Sequence, residues 1–244
     1  MPKNKILLIG GGLVGAVALG VVALIVVFAL RSDDPNLKTE APAISTSVGA
    51  SAGTPGTSDA NLPAGVLHFV VDPAGSEAKY VVREKLARLP ISSDAVGTTN
   101  AVSGDFYLTK EGLYKDRATK LTVDLSKLKT DESLRDNFVR NSTLQTSRFP
   151  NAEFIAESVT PWPANYTDGT EVALTLSGTL TLHGVSKKVE WKVKARRAGN
   201  ALTGIADIDF LMSDFNITPP DIPNVAKAEN GVHLQITIAA KTAS

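Results

Sequence analysis

Cysteine is absent from all 244 residues, and that one gap removes disulfides, c-type haem attachment, thiolate metal sites and a thioether-linked lipid anchor. Whatever fold the chain adopts must be held by its apolar core and its backbone hydrogen bonds. An excess of charge is missing too: 25 basic residues face 25 acidic ones, and no basic block is longer than the pairs Lys187-Lys188 and Arg196-Arg197. That balance argues against a nucleic-acid partner held by phosphate neutralisation, and the two pairs read as the solvated face of a strand. Neither a Gly-x-Ser-x-Gly elbow nor a Gly-rich phosphate loop occurs. Asp94, Asp105, Glu153 and Glu157 show no acid/base spacing, and His68, His183 and His233 are too scattered for a zinc set. The expectation is a protein that is not an enzyme, with no catalytic residue, no metal and no cofactor.

What the chain does have begins at Ile6 and ends at Leu30, an uncharged, largely apolar run of 25 residues. At ~1.5 Å per residue such a helix exceeds the ~30 Å hydrocarbon core of a bilayer. A cleaved signal peptide wants a shorter apolar region with a small-residue site just beyond it. Here the only candidates are Val27-Phe28-Ala29, inside the run, and Ala41-Pro42-Ala43, well past its end. The run therefore reads as an uncleaved signal anchor. Lys3 and Lys5 precede it, whereas Arg31 alone follows before Asp33 and Asp34. The positive-inside bias then places the N-terminus in the cytoplasm and everything after residue 31 outside it. The predicted organisation is a cytoplasmic tip and single transmembrane helix over 1–31, a linker over 32–62, and one folded domain over 63–244. The linker is rich in Pro, Gly, Ser and Ala with almost no large apolar residue, so it cannot offset its own chain entropy and reads as a flexible stalk.

Within the domain, apolar and polar residues alternate. Val172, Leu174, Leu176, Leu180 and Leu182 share one face of a segment whose other face carries Thr175, Ser177, Thr179, Thr181 and His183. Val189, Trp191, Val193 and Ala195 alternate with Lys188, Glu190, Lys192 and Lys194 immediately after, and the link His183-Gly184-Val185-Ser186 has hairpin length. Further strands are expected over 66–71, 79–86, 102–108, 119–125, 153–159, 202–210 and 233–240, separated by turn signals such as Asp72-Pro73, Asp168-Gly169 and Asn230-Gly231. One segment breaks the pattern. From Asp131 to Gln145 the spacing of Leu134, Phe138 and Val139 predicts a short amphipathic helix, capped by Asp131 or Thr130 and lidding one end of a barrel.

Several of these stretches carry a resemblance. Val71-Asp72-Pro73 with Ser76, Leu134-Arg135-Asp136-Asn137-Phe138 continuing through Arg148-Phe149-Pro150 to Phe154, and Gly178-Thr179-Leu180-Thr181-Leu182-His183-Gly184-Val185-Ser186-Lys187 stand in one order across nearly all of residues 63–244. Ser213-Asp214-Phe215-Asn216-Ile217 adds a weaker echo. Together they resemble the YceI-like domain family of polyisoprenoid-binding proteins. Departures are Gly75 where many members have His, Asn216 where Gly is usual, and the stretch 83–100 in place of a shorter strand connection. The resemblance implies an all-β, lipocalin-like antiparallel barrel of about eight strands with one short helix, in a bacterial cell envelope, whose interior holds a long isoprenoid chain. About eight strands give an interior just wide enough for one elongated apolar ligand.

Candidate ligand-binding residues follow. Val172, Leu174, Leu176 and Leu180 would line the interior; Phe138 and Phe154 would touch an isoprenoid tail or serve as plain core. Arg135 would meet a head group through its guanidinium or form a structural ion pair. His183 would bond a head group or simply order its turn. The resulting expectation is a single-pass cell-membrane protein whose extracytoplasmic barrel sequesters or carries an isoprenoid-type lipid, a quinone or polyprenyl. Two alternatives stand beside it: an envelope scaffold with a filled barrel, and an enzyme acting on a lipid or small molecule through His183 and a carboxylate.

Overall fold

Alternation along the domain becomes eleven antiparallel strands in a computed structural model, which describes residues 37–44, 62–87, 91–163 and 165–243. The anchor expected over residues 6–30 lies outside the described residues, among which no helix is long and apolar enough to cross a membrane. The chain divides into two units, Met1–Thr39 and Glu40–Ser244, and the second contains the barrel. Its strands are β1 (Leu67–Val71), β2 (Glu77–Leu86), β3 (Ser92–Thr99), β4 (Val102–Leu108), β5 (Lys120–Asp124), β6 (Asn151–Thr160), β7 (Glu171–Leu182), β8 (Val185–Ala198), β9 (Ala201–Leu211), β10 (Asp221–Ile222) and β11 (Ala226–Thr242).

Eight of these close a ring in the order β1-β4-β5-β6-β7-β8-β9-β11, because β1 pairs with β4 on one side and β11 on the other. The 17 residues of β11 make that closure possible. One edge of β11 runs against β9, and the other meets β2 from Ala226 to Thr237 and then β1 up to Thr242. The strand expected over 233–240 is thus twice as long, its early part bent by an irregularity between Ala228 and Val232. β3 was not expected at all. The stretch 83–100 holds the end of β2 and all of β3, which pairs back along β2 with Ala95, Gly97 and Thr99 opposite Val82, Tyr80 and Ala78; such small inward residues carry little apolar signal.

The β7–β8 hairpin forms as read, with its two-residue turn at His183 (φ 51°) and Gly184 (φ 76°). Positive φ at both central positions is the type I′ arrangement, whose twist matches the flanking strands. Asn216 also takes a left-handed conformation (φ 55°). Asn tolerates that region better than most non-glycine residues, which lets it stand at this turn.

The helix is shorter than predicted: α1 covers Ser133–Phe138, and a wider, π-type turn continues it over Val139–Thr143. Neither Asp131 nor Thr130 is the N-cap. Glu132 occupies that position without a side-chain cap. Asp131 is drawn into an ion pair with Arg135, while the Thr130 backbone N–H (2.6 Å) and hydroxyl (2.8 Å) both donate to Asp136 Oδ1 and tie the approach to the helix.

Phe69, Phe154, Leu180, Leu182, Trp191, Met212, Phe215, Ile217 and Ile236 are among the buried residues of one apolar cluster inside the barrel. Each such side chain taken fully out of water contributes roughly 1.5–3 kcal/mol, which a cysteine-free domain needs in place of cross-links. Part of the expected linker lies on the barrel wall as well. The Ala41 N–H donates to Glu171 Oε2 (2.9 Å), and the Thr203 hydroxyl donates to the Pro42 carbonyl (2.7 Å).

Candidate functional site

Inward alternation on long strands encloses space as well as core. Two cavities lie end to end along the same strands, of about 720 Å³ and about 500 Å³. On β7, Val172, Leu174 and Leu176 face the first, whereas Leu180 and Leu182 face the second. On β11, Ile238 faces the first, and Val232 and Leu234 the second. Both volumes fall within the range of ordinary small-molecule sites, and both walls are mainly aliphatic and aromatic.

The first cavity is walled by regular barrel strands, with the small residues Ala156, Ala195, Gly204 and Ala206 leaving room. Its polar edge carries Lys110, Trp162, Tyr166, Arg196 and Arg197. Arg197 pairs with Asp168 (2.6 Å) and stacks on the Tyr166 ring, while Arg196 pairs with Glu171 (3.5 Å). The Trp162 indole donates to the Lys110 carbonyl (2.6 Å). The pair Arg196-Arg197 is therefore part of the cavity edge, in contrast to the wholly solvated strand face expected for it.

The second cavity is closed by less regular pieces. The extra strand β2, helix α1 with Leu134, Arg135 and Phe138, and the segment from Met212 to Ala226 complete its wall. Arg135 faces it while holding Glu84 (2.9 Å) and Asp131. Glu84 is buried, whereas Arg135 keeps a quarter of its side chain exposed. Burial pushes the Tyr80 phenol up to about 12, Arg135 opposing this and nearby carboxylates reinforcing it. The Tyr80 hydroxyl and the Trp191 indole N–H are buried without a hydrogen-bond partner.

Of the residues singled out in the sequence, Val172, Leu174 and Leu176 meet in the first cavity, and Leu180, Phe138 and Arg135 in the second; Phe154 lines both. His183 lines neither. Its ring packs against Phe149 (centroids 4.6 Å apart), its Nδ1 lies 3.2 Å from the Phe215 carbonyl, and its Nε2 is buried without a partner. Sequence reading missed Trp191 and Tyr80 as wall residues. The inward alternation of Val189, Trp191 and Val193 was a usable signal for the first; nothing local marks the second.

Histidines elsewhere serve the outer wall. His233 Nδ1 lies 3.0 Å from Asp209 and Nε2 3.3 Å from Asp207, which also accepts from Gln235 (2.9 Å). Burial alone lowers the pKa of His233, but the two carboxylates outweigh it and hold the imidazole up to about 9. His68 bonds Asp105 (2.7 Å) and stacks on Tyr107. Among the described residues no group of three or more His, Asp or Glu side chains is arranged to hold a metal.

An eight-strand ring, a single helix at one end and an apolar interior reproduce the arrangement implied by the sequence resemblance, and the family model described as the YceI-like domain matches residues 69–240. The chain belongs to the YceI-like domain family. A UPF0312 protein of Vibrio parahaemolyticus is 27% identical over 163 residues, 64% of this chain and 80% of that protein. One from Vibrio campbellii is also 27% identical, over 161 residues, 63% of this chain and 79% of the other. Among solved structures, a polyisoprenoid binding domain from Saccharophagus degradans implicated in plant cell wall breakdown superposes with a TM-score of 0.56 at 14% identity, covering 72% of this chain and 99% of that one. BcnA of Burkholderia cenocepacia gives 0.52 at 17% identity, covering 70% and 99%. At these identities the structural likeness establishes the fold, and this YceI-like barrel must be read from its own walls.

Proposed function

We propose that this YceI-like domain protein is a membrane-tethered, extracytoplasmic lipid-binding protein that sequesters or carries an isoprenoid-type lipid, a quinone or polyprenyl, inside its barrel. The observation that carries the reading is the unfilled interior: two apolar cavities in line along strands that would otherwise pack a solid core. Close packing is the rule for protein interiors, so space on this scale calls for an occupant. An elongated branched hydrocarbon fits an aliphatic tunnel several side chains long. The name of the Saccharophagus degradans domain, with its stated polyisoprenoid binding, supports the same ligand class.

The walls also favour a neutral head group. Arg135 is held by Glu84 and Asp131, and Arg196 and Arg197 by Glu171 and Asp168, so each arginine at the cavities already has a carboxylate. A phosphate would have to displace one of these partners to reach an arginine, whereas a carbonyl or hydroxyl head needs only neutral donors. The apolar run at Ile6–Leu30 supports the tether. With Ala41 and Pro42 bonded to the barrel wall, the tether before that point is the short stretch 32–40, which as a coil would reach roughly 17 Å and keep the barrel near the bilayer.

A scaffold with a filled barrel is disfavoured by the volume of the cavities. An enzyme acting through His183 is disfavoured by that residue's neighbours, which are an aromatic ring and a backbone carbonyl. Native mass spectrometry of the full-length chain extracted from bacterial membranes tests the reading. A bound isoprenoid mass is expected; an empty barrel that also takes up no added isoprenoid alcohol or quinone would overturn it.

A further inference from the structure

Four residues, Leu121, Phe154, Trp191 and Ile236, line both cavities and so form the waist between them. Phe154 and Trp191 meet there edge to face, with ring centroids 5.9 Å apart and planes at 71°. They are 6% and 4% exposed, so the pair is buried at the waist. The backbone behind Phe154 holds it in place. Gly178 lies opposite Ala156 on β6, where the register slips between Ala156 and Ser158, and a Cβ on Gly178 would come within 2.7 Å of the Phe154 ring. Phe154 thus rests on the bare backbone of β7. Trp191 is held differently: its indole N–H has no partner, and no hydrogen bond fixes the ring's rotamer.

We propose that Phe154 and Trp191 are a gate dividing the barrel into two ligand compartments, with Trp191 the moving leaf. A short isoprenoid occupies either compartment on its own, and a long one enters both only when the indole turns aside. The gate would make chain length a specificity determinant, separate from the head group. This inference rests on the isoprenoid-binding reading above.

The test uses the full-length chain with two neutral probes, farnesol as the short isoprenoid and decaprenol as the long one, followed by native mass spectrometry over time. Wild type is expected to hold two farnesol molecules at saturation but a single decaprenol. Phe154→Leu is expected to raise the ratio of decaprenol to farnesol uptake rates by about tenfold, equivalent to ~1.4 kcal/mol of barrier. Saturation at one farnesol, or an unchanged ratio in a folded variant, would overturn the gate while leaving lipid binding intact. Failure of wild type to bind either probe would instead remove the carrier reading, and the gate with it. The stoichiometry is read on wild type alone, so saturation at one farnesol overturns the gate even if the variant fails to fold.

Discussion

The first cavity is walled mainly by regular strands, with loops only at its polar edge, whereas the second depends on a helix of six residues, an added strand pair and the segment between β9 and β11. The difference extends to chemistry. The first ends in ion pairs at an edge where water can reach them, with Asp168 half exposed and Glu171 a quarter exposed. The second sets Glu84, a tenth exposed, against Arg135, a quarter exposed, beside the tunnel. A buried pair contributes little net stability while intact but costs much when one partner is lost. The second cavity should therefore be the less forgiving of the two.

Three inward positions of β7 put that contrast to the test on one strand. Leu180→Arg has the largest expected effect. Leu180 is 4% exposed in the second cavity, so the substitution buries an unpaired charge; the expected loss is about 3–5 kcal/mol out of a typical ~5–15. Leu176→Arg, in the first cavity, can extend its guanidinium along the wall towards the polar edge, as long cationic side chains do. It should keep the fold and abolish lipid uptake. Thermal denaturation of both variants beside a lipid-binding assay checks this, and equal loss of folding in both would erase the distinction between the cavities.

Gly178→Ala comes next. It sits between those two positions, and its Cβ would press on the Ile155 carbonyl and the Phe154 ring. Overpacking of this kind costs about 1–3 kcal/mol. Denaturant unfolding should show the loss, and decaprenol binding should weaken because the ring is pushed into the waist. A neutral result would mean that Phe154 has slack and that the waist is not held from behind.

His233→Gln lies outside both cavities and should have the smallest effect, visible chiefly in its pH dependence. The folded pKa is raised from 6.5 to about 9, so the protonated form is stabilised in the native state. That contribution is fully present below pH 6.5 and fades as pH rises through about 9. Asp207 and Asp209 of β9 supply it, while Val81 of β2 packs opposite. Wild type should lose melting temperature between these pH values, and the variant should show a flatter profile. Identical profiles would show that the outer cluster does not couple to folding.

The same contrast explains what was legible in the sequence. The walls of the first cavity follow from alternation within β7 and β8, where each inward residue is two positions from the next. Val172, Leu174 and Leu176 could be read there without knowing their partners. The second cavity joins residues distant in sequence, and its strand β3 presents Ala95, Gly97 and Thr99 inward, which have no apolar signature. Tyr80 and Met212 reach the interior only because β11 is long enough to pair β2 and β9 at once. The helix was visible from its periodicity, but its true start was hidden because Asp136, inside the helix, ties back to Thr130. His183 stood out in the sequence for a reason of backbone geometry, its left-handed turn, rather than for binding.

The central claim is that lipid lies inside the barrel, and Trp191 is placed to report it. In the full-length chain with Trp162→Phe, Trp191 is the remaining tryptophan, and a bromine-labelled isoprenoid alcohol quenches only an indole that it touches. The account predicts loss of Trp191 emission on stoichiometric addition of the labelled lipid. Full emission retained while the lipid stays associated with the protein would place it on the surface and contradict the account.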